Sequence, residues 1–392
     1  MTTIGIVAEW NPFHNGHQHL IESIRRDAPE ACIVSAMSGS FCQRGEAACL
    51  DKWQRAELAL AAGVDVVLEL AQVYATASLE TFARGGVATL AAFAPLDALY
   101  CGSESGDAAA LAALAAYLTR HRADYEAAIH AASQAGASYA QASQDFCARA
   151  GFSFASGKDC PNDRLALQYR LALADAVPLH LVRRGVAHDA SAPQSRFLSA
   201  SAIRARLDGD LTALAPYLPA SSYERISAWR AAGQALPDMG KLFAAAKLLA
   251  CSLSADDIAA RLAIRDGWAH RFLETLLAAD SLEAWLTQAQ TRHYSRARCQ
   301  RLLLALLSPA PAAPEAPPYV RVLGFNARGR ALIKARSGRT PLLVNVARDS
   351  RVLPPEAQAV LRIDIQRQNL ADALSGRAIR QRDYLEPPRI FS

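Results

Sequence analysis

Short apolar runs alternate with amphipathic stretches over the first hundred positions. Ile4, Ile6 and Val7 mark a buried strand, which breaks at Asn11-Pro12-Phe13, and a helix opens near Gly16. Ala31 to Met37 reads as a second strand, followed by the loop SGSFCQRGE at 38–46. Asp51 is placed to cap a helix running to about Ala62. Val64 to Leu70 reads as an apolar strand of the parallel type, and Ser78 caps a helix to Phe93. Ala98 to Cys101 is a fourth strand, ending in Gly102-Ser103-Glu104. This alternation predicts a doubly wound α/β fold on a parallel sheet. Ligands of such sheets lie beyond the carboxyl ends of the strands, where HNGH, SGSFCQRG and GSES all fall.

The pattern then changes. Residues 108–150 are alanine-rich and helical, and read as an insertion at about 108–160, ahead of Pro161 and a helix from Asp163 to Ala174. Leu179 to Val182 is a short strand ending in Arg183-Arg184-Gly185; a polar loop, 186–198, precedes a helix from Ser199. Apolar spacings of three and four carry helices from Leu211 to Leu307. Ser308 to Pro318 is a Pro/Ala linker. Beyond it, strands at Tyr319–Leu323 and Pro341–Val346 flank a helix at Ala327–Ala335, and the charged tail from Gln358 shows no clear period. The expected organisation is a catalytic domain at 1–207, a helical region at 208–307 and a small α/β module at 319–392.

Composition narrows the classes. The 392 residues are 52% apolar, enough for more than one core and unlike a disordered chain. No run is long and apolar enough to span a bilayer, and Met1-Thr2-Thr3 leads straight into the first strand, leaving no room for a signal peptide. Eight cysteines are scattered without a CxxC pair, which fits small core residues in a reducing cytoplasm. The net charge of +5 does not announce a nucleic-acid binder, but arginines cluster at 183–184, 292–301 and 321–339. Arginine clusters suit phosphate, and a solvated arginine-rich surface accounts for any one of them equally well.

The chemistry concentrates at His14-Asn15-Gly16-His17. A strand that runs into a helix N-terminus offers amide donors and a positive dipole end. The two histidines, three apart on one helical turn, face the same way, and Gly16 lets a ligand approach the backbone. Such a turn can grip phosphates and stabilise charge as phosphorus is attacked. A zinc site is not suggested, since His19 faces away from His17 and no other ligands lie nearby in sequence. Ser199-Ala200-Ser201-Ala202-Ile203-Arg204 offers a second cradle, with serines at a helix start and an arginine in its first turn. By itself this hexapeptide is only a capped helix.

The HxGH turn resembles that of the nucleotidyltransferase superfamily, which includes the class I aminoacyl-tRNA synthetases. The longer phrase EWNPFHNGH resembles the tRNA(Met) cytidine acetate ligases, and the likeness covers about residues 4–104, returning at 161–206 and 319–334. It implies a Rossmann-like HxGH domain in a cytoplasmic ligase that joins acetate to tRNA, using ATP with Mg²⁺. His14 and His17 would be catalytic. ATP would lie along Val7, Ala8, Glu9, Asn11, Pro12, Phe13, Asn15, Gly16, Leu20, Gly102, Asn162, Arg183, Arg184, Ser199, Ser201 and Arg204. Asp163-Arg164 departs from the family's usual continuation after Asn162. Gln43, Arg44 and Lys52 also match family segments and could hold acetate or pyrophosphate, or form structural ion pairs. The product would be N4-acetylcytidine at the wobble base of elongator tRNA(Met). The helical region and C-terminal module would hold tRNA phosphates through Arg292, Arg296, Arg298, Arg301, Arg321, Arg328 and Arg330. The rival readings are a small-molecule adenylyltransferase and a non-catalytic RNA-binding protein on the same fold.

Overall fold

The computed structural model describes residues 1–152, 160–173, 177–183, 196–264, 267–336 and 338–391. Five parallel strands form the expected sheet: β1 (Thr3–Ala8), β2 (Cys32–Ser38), β3 (Val66–Leu70), β4 (Ala98–Ser103) and β5 (Leu179–Arg183), in the order β5-β4-β1-β2-β3. The chain builds outward from β1 to β3 and then returns to the other side of β1 with β4. The order therefore reverses between β1 and β4, and a crevice opens there beyond the strand ends. The HNGH turn leaves β1 at that point.

Alternation along the strands sorts the core into two faces. Ile4, Ile6 and Ile33 pack with Ile21, Ile24, Trp53 and Leu60, from the helices Asn15–Asp27 and Lys52–Ala61. Val7, Val34 and Leu68 face the other way, toward Phe82, Val87 and Leu90 of the helix Leu79–Phe93. The insertion folds into three helices, Ala108–Arg120, Arg122–Gln134 and Tyr139–Arg149. Leu114 and Leu118 of the first pack on Leu167 of the helix Pro161–Ala172, while the second buries no residue.

The C-terminal segment does not form a sheet of its own. β6 (Val320–Phe325) pairs antiparallel with β3 and extends the main sheet. β7 (Leu342–Leu343) and β8 (Arg389–Ile390) pair in tandem along the far edge of β6. Val320, Val322, Leu332, Val360 and Leu361 join the core on the Leu79–Phe93 face. The separate module expected at 319–392 is thus corrected to an outer part of the catalytic sheet. The tail also contains a twenty-residue helix, Pro355–Leu374. Its buried positions include Asp364, Arg367, Gln368 and Asp372, and those polar residues blur the hydrophobic period that would have predicted it.

The helical region has its own core, built on Phe243, Trp268, Phe272, Trp285 and Leu303. Phe41 and Ala47, from the loop after β2, belong to that same core. The region therefore rests directly on a loop at the strand ends.

Candidate nucleotide site at the strand ends

His14 caps the helix Asn15–Asp27: its Nδ1 accepts from the Gly16 amide at 3.0 Å. His17 returns the contact, its Nδ1 accepting from the His14 amide at 3.3 Å. The two rings stack at 3.7 Å with 14° between their planes. An Nδ1 that accepts from an amide carries no proton, so each neutral ring holds its proton on Nε2 and is a donor there. The cap thus fixes the tautomer of both catalytic candidates.

The turn beneath them is a buried scaffold. Trp10, with φ of 46°, sends its indole N–H to Ser35 Oγ at 3.1 Å and meets His17 edge-on at 4.8 Å. Phe13 packs against both rings, and the Asn11–Pro12 peptide is cis. Asn11 accepts from the Cys49 amide at 2.8 Å and donates to Cys42 Sγ at 3.2 Å. Val7, Asn11, Pro12, Phe13 and Leu20 are all buried, so their side chains serve the fold around the turn. Burial pushes the Cys42 thiol well up and the Cys49 thiol to about 11, so neither is a thiolate near neutral pH.

The second cradle meets the first. Ser199 caps the short helix Ala200–Arg204, its Oγ accepting from the Ala202 amide at 3.2 Å. Arg204 donates to the Asn11 carbonyl at 2.9 Å, to Ser201 Oγ at 3.3 Å and to Glu46 at 3.2 Å. Asn15 fastens the same neighbourhood, donating to the carbonyls of Arg196 and Pro216 at 2.8 and 2.9 Å. Two motifs far apart in sequence are therefore joined by direct contact. The Gln43 amide donates to Glu9 Oε1 at 2.7 Å. Arg55, fully buried, gathers the carbonyls of Glu9, Ser38, Gly39 and Leu50 around its guanidinium. Arg55 stands in the family-like segment Asp51–Arg55, whose charged groups could hold acetate or pyrophosphate, and is instead committed to these carbonyls. Glu46 was not singled out as a site residue in the sequence, because its partner is distant along the chain.

Gly102 lies near the end of β4, where the next turn is organised by two acids. Buried Asp163 accepts from the amides of Glu104 and Ser105, both at 3.1 Å, and from Ser103 Oγ. Asn162 donates from both its amide and its side chain to Glu104. The departure at Asp163 therefore has a structural use. Arg183 is exposed at the end of β5, Arg44 is exposed in the loop after β2, and Arg184 lies outside the described residues.

Several basic candidates are corrected by burial. Lys52 is fully buried, with its ammonium 2.7 Å from Glu69 and 2.5 Å from Asp383, so it holds neither acetate nor pyrophosphate. Arg321 is buried in the same network, 2.8 Å from Glu69 and in contact with Asp383, and cannot reach tRNA. Its guanidinium is held charged above its ordinary range despite burial, because Glu69 and Asp383 flank it. Arg301 is half-buried and donates to the Gln43 carbonyl at 3.1 Å. Arg328 donates to the carbonyls of Pro29 and Ala31, and Arg296 pairs with Glu283 at the surface. Arg298 lies 3.9 Å above the Tyr294 ring. Arg292, Arg296, Arg298 and Arg330 are exposed.

Comparisons with known proteins agree with this geometry. Residues 1–385 match the family model for HIGH Nucleotidyl Transferase. A tRNA(Met) cytidine acetate ligase of Syntrophotalea carbinolica is 33% identical, covering 99% of this chain and 98% of that protein. One from Listeria welshimeri is 35% identical over 84% of this chain and 85% of its own length. Thermotoga maritima TmcAL bound with alpha-thio ATP superposes with a TM-score of 0.87 at 26% identity, over 100% of this chain and 99% of that one. Its apo form gives 0.88 at 25% identity, covering both chains completely. A sheet that switches direction above a histidine-capped helix, matched along nearly its whole length, places this chain in the HIGH nucleotidyltransferase family, among the tRNA(Met) cytidine acetate ligases.

Proposed function

We propose that this chain activates acetate with ATP and transfers the acetyl group to a cytidine of tRNA. The observation that carries the reading is the paired cap of His14 and His17, which holds two Nε2 donors at the switch point of the sheet. ATP enters with Mg²⁺ on its phosphates. A carboxylate oxygen of acetate attacks the α-phosphorus, the bond to the β-phosphate breaks, and acetyl-adenylate and pyrophosphate form. Charge grows on the phosphate oxygens in that step. We assign its neutralisation to the histidine N–H groups, the positive end of the helix dipole and Arg204. The exocyclic amine of the cytidine then attacks the acetyl carbonyl, and AMP departs with the electron pair of the broken acyl–oxygen bond. The amine loses a proton, leaving N4-acetylcytidine.

The amine must reach the acyl carbon, so the base has to be presented unstacked. The relatives named as tRNA(Met) cytidine acetate ligases support a cytidine of tRNA(Met) as that base, and we assign it to the wobble position of the elongator species. Exposed Arg292, Arg298 and Arg330 are the surface guanidiniums we assign to RNA phosphates. The test is mass spectrometry of nucleosides from tRNA incubated with the protein, ATP and isotopically labelled acetate. Labelled N4-acetylcytidine is the expected product. Acetate-dependent pyrophosphate exchange without labelled nucleoside would refute the transfer step, and absence of both would refute the reading.

A further inference from the structure

The loop between β2 and the helix Lys52–Ala61 is held from two sides. It is closed on itself by a Phe41–Ala47 bridge and by Cys42 and Glu46, whose backbones bond at 2.9 Å. One flank touches the nucleotide site. The Gln43 amide donates to Glu9, the Gln43 side chain donates to the Ala77 carbonyl at 3.0 Å, and Glu46 pairs with Arg204. The other flank touches the helix Arg296–Leu307 of the helical region. There Arg301 Nη1 donates to the Gln43 carbonyl at 3.1 Å. Gly45, with φ of 83°, lies so close that a Cβ on it would fall 2.7 Å from the Arg301 nitrogen and 2.9 Å from the Gln300 carbonyl carbon. Both are backbone atoms, which cannot swing aside. Gln43 thus carries the guanidinium on its carbonyl and Glu9 on its amide, on successive peptide planes.

We propose that Arg301 is a positioning residue for the ATP site: it fixes Gln43, and through the Gln43 amide it fixes Glu9 beneath the HNGH turn. The assignment rests on the ATP site placed above. It takes Arg301 out of the RNA-binding surface, where its cluster in sequence had put it, and gives the helical region a direct part in nucleotide binding. A hydrogen bond from a charged donor, here partly shielded from water, is a strong and directional restraint. Burial brings the guanidinium down to about 10, so it is still cationic near neutral pH. Lys241, exposed on the helix Met239–Ala250 of the same helical region, has no assigned role in the site and serves as the control.

The experiment uses full-length protein, with ATP affinity measured in the absence of tRNA and the salt dependence of tRNA binding measured separately. ATP affinity is measured by equilibrium dialysis for wild type, Arg301→Ala, Arg301→Lys, Gly45→Ala and Lys241→Ala, each checked by thermal unfolding. The expectation for Arg301→Ala is a dissociation constant for ATP raised about tenfold, the loss of one charged hydrogen bond's worth of restraint. Arg301→Lys recovers part of it. Gly45→Ala reproduces the loss with Arg301 intact, because the new Cβ pushes the loop off the helix. Lys241→Ala leaves ATP affinity unchanged. A role in stability alone would lower the unfolding temperature and leave the folded protein's ATP affinity at the wild-type value; that result overturns the proposal. So does unchanged ATP affinity in Arg301→Ala together with a shallower salt dependence of tRNA binding, which would return Arg301 to the RNA surface. Should wild type bind ATP yet show no acetate-dependent exchange, the ligase reading fails and the affinity series still decides the role of Arg301.

Discussion

At the scale of single residues, the site is built from groups that do two things at once. His14 is both the helix cap and a proposed phosphate donor, and His17 is both the reciprocal cap and the second donor. The two roles separate by substitution. His14→Asn replaces the capping Nδ1 with an acceptor oxygen, at a position asparagine favours, but has no imidazole N–H to offer. We expect it to unfold near the wild-type temperature and to lose roughly 10²-fold or more of its acetate-dependent pyrophosphate exchange, the usual cost of one oxyanion-type donor. His17→Ala loses at least as much. Exchange within a few-fold of wild type in either variant would remove the histidines from the mechanism. This part of the site was legible in the sequence because it is contiguous: strand, turn, cap and donor fall within Ile4 to Leu20. Glu46 was not, since it finds its partner 158 positions away, and Arg55 was read for its charge while it in fact collects carbonyls from three different segments. Lys52 and Arg321 misled for the opposite reason. A basic residue in a charged stretch reads as surface until the fold supplies the two buried acids that neutralise it.

At the scale of elements, apolar runs located the first four strands and capping residues located the helices between them. The helix Pro355–Leu374 escaped because its inward face is polar, and that face has a measurable consequence. Asp364 on it is 1% exposed, accepting from the Gln72 amide at 2.8 Å and from the Tyr319 hydroxyl at 2.6 Å. Burial, reinforced by the nearby charge of Glu69, pushes its carboxyl up to about 7, against the opposing pull of Lys52 and its hydrogen bonds. An acid raised in this way binds its proton more tightly in the folded chain than in the unfolded one. Between the unfolded value near 4 and the folded value near 7, the folded state holds the extra proton, so the contribution of Asp364 to stability falls as pH rises through that window. Asp364→Asn cannot titrate and still fills the space. Its unfolding temperature should therefore drop less than wild type's between pH 5 and pH 8, while the two proteins respond alike to pH below 4. Parallel curves for the two proteins across pH 5 to 8 would show that the carboxyl is ionised throughout that range.

At the scale of the whole molecule, the Pro/Ala stretch after Leu307 looks like a boundary in sequence and is not one in space. The strand at Tyr319–Leu323 was legible; its partner was not, because nothing local tells β6 to return some 250 positions and run antiparallel to β3. The return closes a buried network in which Lys52 and Glu69 come from one side of the linker and Arg321 and Asp383 from the other. Burial acts against the Asp383 carboxylate, yet Lys52 and Arg321 hold it below its ordinary value, so all four charges depend on one another. A chain ending at Leu307 would lose two of the four. It would also bare the edge of β3, whose residues are buried throughout, and strip Val320, Val322, Val360 and Leu361 from the core. Uncovering one partner of a buried ion pair alone costs about 3–5 kcal/mol, against total stabilities of roughly 5–15 kcal/mol for folded domains. The expected outcome is a truncated chain with no cooperative thermal transition and no pyrophosphate exchange. If it instead unfolds cooperatively within a few degrees of the full chain, the first 307 residues are a self-sufficient domain. The sheet extension would then be an accessory to the catalytic core, not a part of what holds it together.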